Sequence, residues 1–117
     1  MSQSFGRHVR LRSRAEFLAV QEHGRRLSGR HMTLLVLPNT QGVDRLGVVA
    51  SKKLGGAVVR NRAKRRVREM FRLGQPTRDL TPRSLDIVVI PKRELAATPF
   101  ETLQHEFDAA LSKLRAR

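Results

Sequence analysis

The sequence predicts an α+β fold, a two-layer sandwich in which three helices cover a mixed four-stranded sheet. Two observations predict it. Apolar residues recur at helical spacing in three stretches, with compact apolar runs of strand length between them. Their order along the chain is helix, strands, helix, strand, helix, and no internal repeat or low-complexity tract interrupts it. At 117 residues with 39% apolar content, the chain is expected to form one domain spanning 1–117, with a real but modest core.

Residues 1–12 hold Arg7, Arg10 and Arg12 but no apolar period, and read as a basic N-terminal arm that orders on binding. Ser13 and Glu16 have capping-box spacing ahead of Phe17, Leu18 and Val20, and Gly24 offers a left-handed stop, so a short helix is expected over 14–23. An apolar run over 31–37 ends at Pro38, Asn39-Thr40-Gln41-Gly42 has turn chemistry, and a second run covers 46–50. These read as the two strands of a hairpin, with a further short strand expected ahead of them at 26–29. Residues 52–56 form a basic, glycine-containing loop.

From Ala57 the period becomes helical. Val59, Ala63, Val67, Met70 and Phe71 share one face, whereas Asn61, Lys64, Arg65, Arg68 and Arg72 share the opposite one. Arg66 falls near the edge of the apolar face, where its stem is expected to snorkel so that the guanidinium stays wet. Gly74 closes the helix, and 75–83, with two prolines, is a loop. The β-branched run over 85–90 suits a central strand ended by Pro91. Thr98, Pro99 and Glu101 mark a helix start, with a threonine cap, proline at the first position and glutamate closing the box. Phe100, Leu103, Phe107, Ala110, Leu111 and Leu114 then repeat at three- and four-residue spacing, giving a second sheet-covering helix.

The net charge is +14, and self-repulsion of that size opposes a compact state unless a polyanion offsets it. Nucleic acid is the first expected partner and an anionic membrane surface the second. Nine of the 24 basic residues fall between Lys52 and Arg72, opposed there only by Glu69. A solvated helix face mixes signs, because like charges four residues apart repel. Here Arg60, Lys64, Arg68 and Arg72 form a like-charged row, the footprint of a phosphate-binding face. The chain has no cysteine, which removes disulfides and thiolate metal sites and fits a reducing compartment. Its longest apolar runs are far too short to span a bilayer, so a soluble, cytoplasmic protein is expected.

Aromatic stacking platforms are scarce: there are five phenylalanines and no tyrosine or tryptophan. Phe71, Phe100 and Phe107 belong to the core by their period, which leaves Phe5 and Phe17 to meet a base. For Phe17, a helix-to-sheet contact and stacking on single-stranded RNA stand level. His8, His23, His31 and His105 are scattered, and the ten carboxylates are equally dispersed, so no acid–base pair or metal site is placed by spacing. The Lys52-Lys53-Leu54-Gly55-Gly56 segment lacks the full spacing of a nucleotide-binding loop.

The run Ala50-Ser51-Lys52-Lys53-Leu54-Gly55-Gly56-Ala57-Val58-Val59-Arg60-Asn61-Arg62-Ala63-Lys64-Arg65 resembles the signature of the protein subunit of bacterial ribonuclease P, Arg-Asn-Arg followed by Lys-Arg. The order of the other elements follows the same family over essentially the whole chain. The resemblance implies a left-handed βαβ crossover around the basic helix, which composition cannot show because the usual crossover is right-handed. It implies an RNA-binding subunit, monomeric when isolated and not membrane-bound, whose partners are a catalytic RNA and the 5′ leader of precursor transfer RNA. The RNA would do the chemistry through bound magnesium, with no cofactor assigned to the protein. Carried over by position, Lys52, Lys53, Arg60, Asn61, Arg62, Lys64, Arg65 and Arg68 would bind the RNA subunit. Phe17, Gln21 and Leu35 would line the leader cleft between the first helix and the sheet. Gln21 and Leu35 stand where other members often carry aromatics, which shifts the expected contacts from stacking toward hydrogen bonds and charge. Two other readings are a non-enzymatic RNA-binding module of the same fold and a stand-alone nuclease using histidines or carboxylates.

Overall fold

The computed structural model describes residues 10–74 and 84–115. Phe5, most of the expected basic arm and the expected loop over 75–83 lie outside the described residues. The elements are α1 (Arg14–His23), β1 (Arg25–Ser28), β2 (Met32–Asn39), β3 (Arg45–Val48), α2 (Ala57–Leu73), β4 (Ser84–Pro91) and α3 (Phe100–Arg115). Two 3-10 turns, Lys52–Leu54 and Arg93–Ala97, precede α2 and α3.

The four strands make one mixed sheet in the order β1-β2-β4-β3. β1 pairs antiparallel with β2, β2 antiparallel with β4, and β3 parallel with β4. The hairpin is therefore β1–β2, not the expected pairing of 31–37 with 46–50. β4 slots between those two runs because β3 is joined to it by the α2 crossover, and a parallel partner needs such a crossover whereas an antiparallel one does not. β2 also runs on through Pro38 to Asn39. Pro38 lies beyond the end of β1, where one side of β2 has no ladder to break.

Period-two alternation sorts the sheet's side chains between two faces. Met32, Leu34, Val36, Leu46, Leu85, Ile87 and Val89 meet Ala63, Val67, Met70 and Phe71 of α2 and Leu103, Phe107, Ala110, Leu111 and Leu114 of α3 in one buried cluster. α1 covers part of the opposite face, where Val20 packs with Leu11, Leu35 and Val88. The capping box of α1 forms as expected, with Glu16 N–H donating to the Ser13 hydroxyl and the Glu16 carboxylate accepting from Ser13 N–H. Gly24 is not left-handed: its φ is −76°. Glycine is needed there because a Cβ would sit 2.4 Å from the Val20 carbonyl oxygen and 2.8 Å from that of Val36.

Arg66 departs from expectation in its contacts. Its guanidinium turns inward and donates to the carbonyls of Ala96 (2.9 Å) and Thr98 (2.6 Å), with its carbon 5.8 Å from the centre of the Phe100 ring. It ties α2 to the turn that launches α3, where exposed carbonyls need donors. Arg66→Ala is expected to lower unfolding stability by about 2 kcal/mol, since it removes charge-assisted bonds and leaves two acceptors unmet. Arg65→Ala, on the solvent face, should stay within about 0.5 kcal/mol of wild type. Denaturant unfolding followed by circular dichroism measures both.

Candidate nucleic-acid interface

Burial of one face of α2 turns the other outward. Asn61, Arg62, Arg65 and Arg68 are exposed, Arg60 and Lys64 half-buried, and the preceding turn presents Lys52 and Lys53 to solvent. The helix has no acidic residue in its first turn. Its sole carboxylate, Glu69, is occupied by Arg72, which donates through Nε (3.0 Å) and Nη2 (2.5 Å). Arg72 thus leaves the like-charged row as a neutralised pair, whereas among the described residues Arg60, Arg62, Lys64, Arg65 and Arg68 meet no carboxylate. All eight residues expected at the RNA-subunit surface therefore lie on α2 or the turn that enters it.

A groove of about 420 Å³ runs along the β3 edge of the sheet. Phe17 of α1 stands on one side, Lys64 and Arg68 of α2 on the other, with Leu46, Gly47 and Val48 between them. The segment before α1 closes it: Leu11 N–H donates to the Leu46 carbonyl at 2.9 Å, bringing Arg10 and Arg12 to the rim. Partial desolvation against the groove wall, reinforced by the Arg10 guanidinium, holds Arg68 below the usual arginine range. An anion held beside Arg68 would favour its charged form. Phe17 and Gln21 also share a second depression with Arg14, Leu18, Val48 and Val49. Leu35, expected to line the cleft, is 3% exposed and lies in the cluster beneath it with Leu11, Val20 and Val88. α1 seals that position, so Leu35 supports the floor and presents nothing to solvent.

Sequence reasoning passed over two features. Gly47 lets the Phe17 ring lie against the strand: a Cβ there would sit 2.5 Å from Phe17 Cε1 and 3.1 Å from Leu11 Cδ1. Arg45 makes a bidentate pair with Asp86, Nε to Oδ1 and Nη2 to Oδ2 both at 2.8 Å, and reaches Glu16 Oε2 through Nη1 at 2.9 Å. Asp86 was a usable signal, because a carboxylate inside a β-branched central strand demands a partner. Gly47 had no local signal at all, since its need for space comes from a helix thirty residues earlier.

Among the described residues no three histidines, aspartates or glutamates gather where they could hold a metal, and no helix is long and apolar enough to cross a membrane.

Comparison with known proteins follows the same outline. The family model described as Ribonuclease P matches residues 5–115. The chain is 39% identical over 114 residues to a ribonuclease P protein component of Thermotoga petrophila, covering 97% of this chain and 92% of that protein. It is 38% identical to the counterpart from Syntrophus aciditrophicus over 89% of this chain and 85% of that one. Among solved structures, the ribonuclease P protein of Thermotoga maritima superposes with a TM-score of 0.74 at 34% identity, over 92% of this chain and 96% of that one. That of Staphylococcus aureus gives 0.73 at 27% identity, over 91% and 96%.

Gly47→Ala is expected to destabilise by about 1–3 kcal/mol by driving the Phe17 ring off the strand. Adding Phe17→Leu should restore part of that loss. A double-mutant cycle by thermal unfolding reads the coupling, and strictly additive losses would contradict the contact.

Proposed function

The chain belongs to the ribonuclease P protein family, and we propose that it serves that enzyme as an RNA-binding subunit with two distinct contacts. The solvent face of α2, with Lys52 and Lys53, holds the catalytic RNA. The groove beneath Phe17, with the adjoining depression at Gln21, holds the 5′ leader of precursor transfer RNA. Lys64 and Arg68, which belong to both surfaces, sit where leader and catalytic RNA would approach one another. The observation that carries this reading is the unneutralised row of cations on α2 beside a groove with an apolar floor. Arginine in such a row suits bidentate phosphate contacts, and a single ring over a strand suits one unpaired base.

Charge and shape act in different ways in this proposal. The α2 cations replace condensed counterions on the RNA, which contributes affinity but little sequence preference. The groove distinguishes substrate from product, because only the precursor carries a leader to fill it. Cleavage is assigned to the RNA subunit, and magnesium bound there would supply the activated water and the charge stabilisation. The protein's part is to hold the leader so that the scissile phosphate is presented to that centre. We further assign it to the cytoplasm, as an isolated monomer that meets its RNA there.

The reading is tested by precursor transfer RNA cleavage at low magnesium with a bacterial ribonuclease P RNA, with and without this protein. Cleavage at the mature 5′ end that requires the RNA and is rescued by the protein is expected. Cleavage by the protein alone would contradict it, and so would tight RNA binding with no rescue. Arg65→Ala should weaken binding to the RNA subunit and reduce the slope of log affinity against log salt by about one. Phe17→Leu should leave that slope unchanged and lower the holoenzyme's preference for precursor over mature transfer RNA.

A further inference from the structure

An acidic residue beside a groove for RNA opposes the ligand by Coulomb repulsion, yet Glu16 adjoins Phe17 in sequence and reaches across to Arg45. We propose that Glu16 and Arg45 are positioning residues for the leader groove, setting the height and pitch of α1 so that the Phe17 ring stands over Gly47. The inference rests on the leader reading given above and names what orders that site.

One oxygen of Glu16, Oε1, accepts the backbone N–H groups of Arg12 (2.7 Å) and Ser13 (3.0 Å). The other, Oε2, accepts from Arg45 Nη1 at 2.9 Å. One carboxylate therefore holds the segment that closes the groove, the first turn of α1, and β3. Arg45 is in turn clamped on Asp86 of β4. Asp86 Oδ1 also accepts from Asn39 Nδ2 at 2.7 Å, and Asn39 Oδ1 accepts from the Ser84 hydroxyl at 2.7 Å. The bonds run without a gap from α1 through β3 and β4 to the end of β2.

Arg45 and Gly47 are two residues apart and so share the face of β3 that α1 covers. The side chains of Arg45 and Asp86 are 15% and 9% exposed, which shields their pair from bulk screening and fixes the fork in one orientation. With its guanidinium fixed, Arg45 presents Nη1 to α1 at one height. Glu16 is further held in its charged form, chiefly by the Ser13 N–H, then by that of Arg12, with the Arg45 charge adding to them.

The two roles available to Glu16 predict opposite signs. If it were only a charge near RNA, Glu16→Gln would tighten binding of precursor and mature transfer RNA alike. As a positioning residue, its replacement presents an amide donor to Arg45, lets α1 shift, and selectively weakens the precursor. The experiment uses reconstituted holoenzyme, with affinities normalised to the active fraction, for wild type, Glu16→Gln, Phe17→Leu and the double variant. Expected is a drop of about fivefold in precursor-over-mature preference for Glu16→Gln, with affinity for mature transfer RNA and for the RNA subunit changed less than about twofold. The Glu16→Gln effect should vanish in the Phe17→Leu background. Equal tightening of both transfer RNAs, an unchanged preference, or full additivity in the double variant would overturn the proposal while leaving the leader reading in place. A wild-type holoenzyme with no leader preference would overturn both.

Discussion

Burial of one side of α2 against the sheet determines where this protein's charge goes. Ala63, Val67, Met70 and Phe71 are each 3% exposed or less, so the helix cannot rotate about its axis without exposing them. With that face committed, Asn61, Arg62, Arg65 and Arg68 face outward as a set. Their repulsion is then a fixed cost of the fold, opposed by apolar contacts on the far side of the same helix. A partner that neutralises the row adds to stability as well as occupying a site, because it binds the folded chain and offsets the strain of a +14 net charge.

The sheet carries this logic to its edge. α2 and α3 cover one face and α1 only part of the other, so β3 lies at a rim where elements from opposite faces approach each other. The groove is that rim. Its apolar floor follows from strand alternation, its cations come from α2 and the segment before α1, and its single aromatic wall comes from Phe17. A glycine at 47 and an arginine at 45, on the same face of one short strand, set how close that wall stands. Arg66 does a related task on the other face, where it satisfies carbonyls and is not presented to a ligand.

Much of this was readable from local patterns. The helical period from Ala57, the capping box at Ser13, the β-branched run over 85–90 and the apolar period from Phe100 placed α1, α2, β4 and α3 to within a residue or two, because those signals depend on neighbours in the chain. The expected Thr98 cap does not form, since that hydroxyl donates to the Glu94 carbonyl at 2.8 Å. The Arg-Asn-Arg run placed the basic surface for the same reason. What could not be read depends on partners distant in sequence. The acceptors of Arg66 lie about thirty residues on, at the end of a 3-10 turn with no period of its own and just after it, so the local sequence points to a snorkelling side chain. The sequence misleads on strand pairing because the turn at Asn39–Gly42 carries good turn chemistry, including Gly42 at φ 80° and the Asn39 side chain accepting from Gln41 N–H. That chemistry dictates a turn without saying which strand lies next in the sheet. Leu35 is buried for the same kind of reason: it packs under α1 with Leu11, Val20 and Val88, contacts that its own stretch of sequence does not announce.

On the proposed division of the surface, the face of α2 and the groove under Phe17 meet different RNAs. Site-specific photocrosslinking tests it most directly, with a photoreactive side chain at position 65 in one holoenzyme and at position 21 in another, each bound to labelled precursor transfer RNA. Position 65 should capture the catalytic RNA, and position 21 the leader, with the second crosslink lost when mature transfer RNA is supplied. Capture of the catalytic RNA from both positions, or a position-21 crosslink that persists without a leader, would contradict the division of the surface described here.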